Sequence, residues 1–136
     1  MADTYALYLK TQNYHWHVKG PHFKSFHQLF EEQYIDLAQA ADDIAERIRT
    51  LGQNVPATFK DFERLKKIKD GNSNLSANDM VVDLAQDHET LVKDLNQALK
   101  LANENHDEGT ASFLATRIEA HEKAGWMLRS SCELGS

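Results

Sequence analysis

The sequence lacks the features that mark several classes of protein. Cys132 is its only cysteine, so no internal disulfide can form and a reducing compartment, the cytoplasm, is expected. No apolar run is long enough to span a bilayer, and the first residues contain no signal-peptide core, so no membrane association is expected. Sustained alternation of apolar and polar residues, which is typical of strands, is also missing. The chain is therefore predicted to be all-α.

Positive charge is scarce as well. The 15 Lys and Arg residues are outnumbered by 21 Asp and Glu, which gives a formal net charge of −6 with neutral histidines. Binding to nucleic acid needs a concentrated positive patch that contacts phosphates. The one dense basic stretch, residues 64–69, is better explained as a solvated helix end. The charge balance favours cations over DNA as partners.

Apolar residues recur at helical spacing in four long segments. The strongest pattern is in the second segment, which Gly52 is expected to end, and Asp3 is expected to cap the first. The four predicted helices cover residues 4–18, 25–51, 77–103 and 108–132. A connection of residues 53–74, with a short amphipathic piece at 58–67, joins the second helix to the third. Such a crossover is typical of ferritin-like four-helix bundles, so we expect one domain over residues 1–136 with a short extra helix in the crossover.

Five side chains of types that bind metal ions stand out: His15, His27, Glu31, Asp42 and Glu46. The last four belong to the second predicted helix, where steps of about 100° per residue place them at about 0°, 40°, 60° and 100°, on one face. Along the axis the first and last of them are about 28 Å apart, too far for one metal centre. An antiparallel second copy of the helix brings His27 to Glu46 and Glu31 to Asp42. We therefore predict two identical sites in a homodimer, each built from both chains.

Acidic pairs four residues apart are most often ordinary solvated charges, but two observations favour the metal site. Ile35 and Ala38 lie on the same face between the two clusters and give the helix pairing an apolar centre. The Gly-Pro step at residues 20–21 marks a helix stop and reversal, with His15 and His27 at equal distances on either side of the proline. A helical hairpin would bring the two imidazoles together.

The ligand types indicate which metal is bound. Mixed imidazole and carboxylate ligands suit iron, as Fe(II) and Fe(III), whereas a single cysteine argues against a thiolate zinc site. Di-iron sites inside one bundle commonly use Glu followed three residues later by His, and this pair occurs nowhere in the sequence. A site between subunits is the better candidate.

Several motifs in the sequence resemble those of a known protein family. Residues 10–23 (KTQNYHWHVKGPHF), followed by Phe26-His27, by Glu31 and by DDIAER at residues 42–47, resemble the Dps family, the miniferritins or DNA-binding proteins from starved cells. The likeness continues through DHE and HEKAGWMLR in the second half, so it covers nearly the whole chain.

The resemblance implies a ferritin-like subunit that assembles into a hollow dodecamer. Members of the family oxidise Fe(II), usually with hydrogen peroxide preferred over dioxygen, and store the ferric product inside, which removes both reactants of hydroxyl-radical chemistry. Their ferroxidase sites lie at two-fold interfaces. By position the ligands are His15, His27 and Glu31 from one chain, with Asp42 and Glu46 from its two-fold mate.

The resemblance suggests further roles. Trp16 is similar to a family tryptophan thought to scavenge radicals beside the site, although packing in the bundle core also explains it. Asp43 points about 100° away from Asp42, which favours a supporting or salt-bridging role. His88 and His121 lie in apolar seams, where hydrogen-bonded core histidines are expected. Four acids could line an iron pore, although surface solvation is the simpler explanation for each: Asp107, Glu108, Glu119 and Glu122.

Compared with the family, the chain begins inside the first helix, whereas members usually have further helical turns before this point and often a flexible tail, which is lysine-rich in members that coat DNA. We therefore expect a short first helix, weaker cage assembly and little DNA binding. The leading prediction is a ferroxidase that stores and detoxifies iron. Two alternatives stay open: a nucleoid-associated, DNA-protecting protein with a secondary metal site, and a bundle that uses the intersubunit metal only for assembly.

Overall fold

Helices form most of the backbone in the computed structural model, which describes residues 1–132. Five helices follow one another: α1 (Ala2–His17), α2 (Phe23–Thr50), α3 (Phe59–Leu65), α4 (Ala77–Glu104) and α5 (Glu108–Ser130). The described residues contain no strand, and none of their helices is long and apolar enough to cross a membrane. The predicted all-α chain with a short helix in the crossover is confirmed, with helix ends displaced by a few residues.

The chain divides into two compact units, Met1–Met80 and the remainder from Val81 onward. In the first unit α1 packs against both α2 and α3. The buried apolar side chains of these helices are Leu7, Tyr14, Phe26, Phe30, Leu37 and Phe62, among others. These residues recur every three or four positions, so each helix turns one apolar face inward.

Two glycines mark the ends of the long helices in the first unit. Gly20, with a φ of +119°, lies in the turn that reverses the chain between α1 and α2. Gly52, with a φ of +89°, follows α2, and the N–H of Gln53 donates to the carbonyl oxygen of Ile48 at 3.2 Å. This bond closes a Schellman motif, so the predicted role of Gly52 at the end of α2 is confirmed.

Asp3 does not cap α1, contrary to the prediction. Met1 occupies the N-cap position, without a side-chain hydrogen bond to the helix. Asp3 Oδ1 instead accepts from the backbone N–H groups of Lys67 at 2.6 Å and Ile68 at 3.0 Å. Because these amides follow the end of α3, the carboxylate ties the first turn of α1 to the crossover.

The short helix α3 is held by its cap and by an aromatic contact. Thr58 accepts from the N–H of Asp61, whose carboxylate accepts in return from the N–H of Thr58, and together they form a capping box. Phe62, buried on α3, stacks on Tyr5 of α1 with ring centroids 4.7 Å apart. These contacts hold α3 against the N-terminal half of α1.

In the second unit, two buried histidines form a hydrogen-bond chain. The Nδ1 atoms of His88 and His121 are 2.9 Å apart, and Arg117 Nη2 is 3.2 Å from His121 Nε2. A guanidinium can only donate, so His121 accepts at Nε2 and donates from Nδ1 to His88. The proton of His88 is then on Nε2, which is buried without a hydrogen-bond partner among the described residues. The prediction of hydrogen-bonded core histidines is confirmed.

His88 and His121 are both held in the neutral form. Burial lowers the pKa of His88 to about 4, and the positive charge of Arg117 adds to the effect. Burial also lowers the pKa of His121, with further contributions from His88 and Arg117. Neutral rings are consistent with the hydrogen-bond chain, which has no acceptor for an extra proton.

Candidate metal centre

The α1–α2 hairpin brings two histidines into direct contact. His15 lies in the last turn of α1 and is buried, and His27 lies in the second turn of α2. Their rings stack with centroids 3.7 Å apart and planes 15° from parallel. His15 Nδ1 donates to the carbonyl oxygen of His27, and His27 Nδ1 donates to the carbonyl oxygen of His15, both at 2.7 Å. The predicted meeting of the two imidazoles is confirmed.

The reciprocal hydrogen bonds define which ring nitrogen of each histidine is available. A carbonyl oxygen only accepts, so both Nδ1 atoms carry their protons. In the neutral ring Nε2 then keeps a lone pair, and a histidine whose other nitrogen donates to a carbonyl is a typical metal ligand. His15 and His27 therefore offer two oriented nitrogen ligands.

Aromatic neighbours hold the two rings in place. Tyr34 of α2 presents its ring edge-on to His15, with centroids 5.2 Å apart. Phe23, the first residue of α2, stacks on His27 at 4.9 Å. Both contacts restrict rotation of the imidazoles, so the ligand atoms are positioned before any metal binds.

The three acidic candidates follow along α2 but do not join the histidines into a cluster. Glu31 is half-buried, one turn after His27, whereas Asp42 and Glu46 are exposed in the last third of the helix. Within residues 1–132 of one copy, no three His, Cys, Asp or Glu side chains come together to hold a metal ion. Of the five predicted ligands, one copy brings only His15 and His27 into contact.

The supporting residues that the sequence suggested have other surroundings in one copy. Trp16 is 59% exposed, so it is not a core residue of its own chain. Asp43 accepts from the side-chain amide of Gln39 at 3.1 Å, along the same helix. Asp107 is the N-cap of α5 and accepts from the N–H of Thr110 at 3.1 Å. The other three acids considered for a pore, Glu108, Glu119 and Glu122, are exposed.

Tyr34 contacts His15, and the sequence did not single it out as a site residue. A signal for it exists, since Tyr34 lies seven residues after His27, close to the same face of the helix. It also lies four residues after Phe30 and three before Leu37, and this spacing predicts a core residue rather than a site residue. Its contact with His15 also depends on the hairpin, which periodicity alone does not describe.

Comparison with known proteins agrees with this geometry. A family model described as a ferritin-like domain matches residues 1–135. The chain is 35% identical over 130 residues to DNA protection during starvation protein 2 of Bacillus anthracis, and the match covers 96% of this chain and 89% of that protein. The crystal structure of Dps from Staphylococcus aureus matches with a TM-score of 0.94 at 33% identity, covering 98% of this chain and 90% of that one. The chain belongs to the Dps family.

The Dps fold accounts for the helices described above, including the short α3 in the crossover. A second Dps structure, from Vibrio cholerae, has a TM-score of 0.92 at 32% identity and covers 96% of this chain and 82% of that one. That protein is described as a member of a broad superfamily of ferritin-like diiron-carboxylate proteins. The expected resemblance to Dps and the predicted ferritin-like fold are both confirmed.

Proposed function

We propose that this Dps protein oxidises Fe(II) at sites shared by two copies of the chain. The observation that carries the proposal is the reciprocally bonded pair of His15 and His27, which keeps two imidazole lone pairs ready for a metal. Mixed imidazole and carboxylate ligands suit iron, the substrate of the reaction. The diiron-carboxylate description of the Vibrio cholerae relative supports the same assignment.

In this proposal a second copy supplies the missing ligands. His15, His27 and Glu31 come from one chain, and Asp42 and Glu46 come from its two-fold mate, through antiparallel contact of the two α2 helices. Ile35, between the two ligand clusters, is 56% exposed in one copy, and an exposed apolar side chain there favours a partner helix. Asp42 and Glu46 are exposed in one copy, so a partner chain can reach both carboxylates.

The residues explain why oxidation is favoured. The imidazoles bind as neutral ligands, and the three carboxylates stabilise Fe(III) more than Fe(II) because their negative charges act on the larger positive charge. We take hydrogen peroxide as the preferred oxidant and dioxygen as the alternative. The ferric product would be stored inside a hollow dodecamer in the cytoplasm. Each subunit of this dodecamer would be one chain folded as a single domain.

Mixing two inactive variants tests the shared site. We expect His27→Ala and Asp42→Ala each to abolish rapid Fe(II) oxidation. When the two variants are refolded together in equal amounts, about one quarter of the sites are complete, since half of the pairs are mixed and each mixed pair has one intact site. Ferric iron is followed by absorbance after anaerobic Fe(II) loading and separate additions of peroxide and air-saturated buffer.

A matched mixture provides the control. His27→Ala refolded with Glu31→Ala gives no recovery, because both changes fall in the same half of the site. Single variants that oxidise iron as fast as the parent would show that the ligand assignment is wrong. Failure of the first mixture to recover, with both single variants inactive, would place the whole site within one chain.

A second candidate function is protection of DNA, favoured by the name of the Bacillus anthracis relative. The net charge of −6 counts against tight binding to phosphates. Retention of DNA at physiological salt, measured by gel shift, supports this function. If added metal changes the size of the oligomer without any iron oxidation, the site serves assembly only.

A further inference from the structure

One peptide step in the crossover has the composition that favours an intramolecular reaction. Asp70 is followed by Gly71, the only Asp-Gly pair in a sequence that contains no Asn-Gly pair. The pair lies between α3 and α4, outside any helix, and the Asp70 side chain is 86% exposed. Glycine has no Cβ to shield its backbone nitrogen, and its backbone is unusually free to rotate. The nitrogen of Gly71 can therefore approach the side-chain carboxyl carbon of Asp70.

We infer that Asp70 is a site of spontaneous isoaspartate formation and that Lys66 slows this reaction. The reaction needs no iron, so it is independent of the proposed ferroxidase function. The Gly71 nitrogen bonds to the Asp70 carboxyl carbon. The nitrogen gives up its proton and the carboxyl gives up its hydroxyl, and together they leave as one water molecule.

The product of ring closure is a succinimide, which water reopens. One water molecule adds at either of the two ring carbonyls. Opening at one carbonyl restores aspartate, and opening at the other leaves isoaspartate, in which the main chain runs through the former side chain of Asp70. The reaction as a whole consumes and releases one water, so it needs no other reactant.

The restraint comes from an ion pair on the Asp70 carboxylate. Lys66 Nζ donates to Asp70 Oδ1 at 2.8 Å and to the carbonyl oxygen of Ile68 at 3.0 Å, and the Lys66 side chain is only 14% exposed. The hydrogen bond from this ammonium lowers the pKa of the Asp70 carboxyl. Ring closure expels hydroxyl from a protonated carboxyl, whereas an ionised carboxyl would have to expel an oxide ion. Lys66 therefore keeps the carboxyl in its unreactive form and in a fixed position.

The residues that follow Asp70 pack tightly against α1, so a change of the main chain here has a structural consequence. A Cβ on Gly71 would lie 3.1 Å from Tyr14 Cε1 and 3.3 Å from Lys10 Cγ, which leaves little room for displacement. The N–H of Asn72 donates to the Tyr14 hydroxyl at 3.1 Å. Isoaspartate lengthens the main chain by one carbon just before these contacts, so we expect the bond from Asn72 to break.

The same contacts connect the crossover to the end of α1 that carries His15. Ser73 Oγ donates to Asn13 Oδ1 at 3.1 Å, so two consecutive residues of α1, Asn13 and Tyr14, hold the segment that follows the glycine. His15 is the next residue of α1. Slow isomerisation in the crossover would therefore loosen one side of the last turn of α1 as the protein ages.

Ageing in water enriched in heavy oxygen tests the site. The whole protein is incubated at neutral pH and physiological temperature and then digested in ordinary water. Its peptides are separated and fragmented, since each passage through the succinimide inserts one heavy oxygen at the reacting residue. We expect label and isoaspartate at Asp70 in the parent. Lys66→Met, which keeps an unbranched side chain without the charge, should accumulate both at least twice as fast.

Two variants provide the controls. Lys69→Met removes a lysine of the same crossover that is not the one donating to the Asp70 carboxylate, and it should keep the parent's rate. Asp70→Glu keeps a carboxylate for Lys66 but has to close a larger ring, so it should give almost no product. Equal rates in Lys66→Met and the parent would overturn the inference. Label at other residues, Asn72 included, with none at Asp70 would also overturn it.

Hydrogen exchange of the aged protein tests the effect on α1. We expect faster exchange of amides in residues 13–18 in the aged parent than in the fresh parent. Aged Asp70→Glu should exchange as slowly in these residues as fresh Asp70→Glu. Unchanged exchange in a parent sample that contains the isoaspartate would overturn the predicted loosening of α1.

Discussion

At the scale of single residues, the placement of protons decides what each histidine can do. The carbonyl partners of His15 and His27 leave the Nε2 lone pair of each histidine available. The hydrogen-bond chain that begins at Arg117 instead leaves an N–H at Nε2 of His88. The sequence predicted that the first pair would meet and that His88 would be a core residue. It could not predict the partners, since main-chain carbonyls carry no signal in the sequence and Arg117 resembles any other helical arginine.

Because His88 and His121 are buried, we expect the folded protein to lose stability in acid. The pKa of His88 is about 4 in the folded protein and about 6.5 in the unfolded chain, so below pH 6.5 the unfolded state takes up a proton that the folded state does not. We expect His88 to lower the free energy of unfolding by about 2 kcal/mol as the pH falls from 7 to 5. His121 adds to the loss in the same direction. Urea unfolding at fixed protein concentration measures the change.

Matched variants assign that pH dependence. A His88→Asn and His121→Gln double variant is expected to lose stability less steeply below pH 6.5, because neither replacement titrates there. His106→Asn, at an exposed turn with a φ of 56°, is the control and keeps the parent's pH profile. Equal slopes for the double variant and the parent would assign the acid sensitivity to other groups.

At the scale of helices, local patterns predicted the elements and tertiary contacts changed their ends. The glycine after α2 acts as the sequence indicated, and Ser76, which precedes α4, accepts from the N–H of Asp79 at 3.1 Å. The exception is Asp3, whose carboxylate accepts from backbone N–H groups more than 60 residues away in sequence instead of capping α1. A competition of this kind depends on the folded chain, so spacing within α1 could not reveal it.

The shortest helix is the one most dependent on its cap. α3 has seven residues, too few to be stable without its capping box and tertiary contacts. We expect Thr58→Ala to destabilise it by about 1 kcal/mol, measured by hydrogen exchange of the α3 amides. The control, Thr90→Ala within α4, removes a bond to a helical carbonyl of Gln86 and leaves exchange in α3 unchanged. Equal protection of α3 in the parent and in Thr58→Ala would contradict the role of the cap.

At the scale of the whole molecule, the sequence predicted the ferritin-like fold, and its proposed pairing of α2 helices stays a prediction. The fold could be predicted because helix periodicity, the long crossover and the family motifs all agree. One copy of the chain does not complete the proposed iron site. It does leave Ile35 exposed at the expected centre of the pairing.

A charge at that centre is expected to separate the pair. Ile35→Glu would place two carboxylates against each other across the two-fold axis, so we expect smaller species by light scattering and loss of rapid iron oxidation. Leu101→Glu, at a residue of α4 that is 61% exposed, is the matched control and should keep the two-fold pair. If Ile35→Glu retains both the pair and its activity, the copies meet through another surface.

The guanidinium of Arg117 also removes a kind of disorder familiar from ice. In ice each row of hydrogen bonds can run in either direction, and entropy remains at low temperature because both orders have nearly the same energy. Two facing imidazoles offer the same choice, since either Nδ1 can give its proton to the other. A neighbour that cannot accept leaves one order, so the buried pair of His88 and His121 has a single arrangement of its protons.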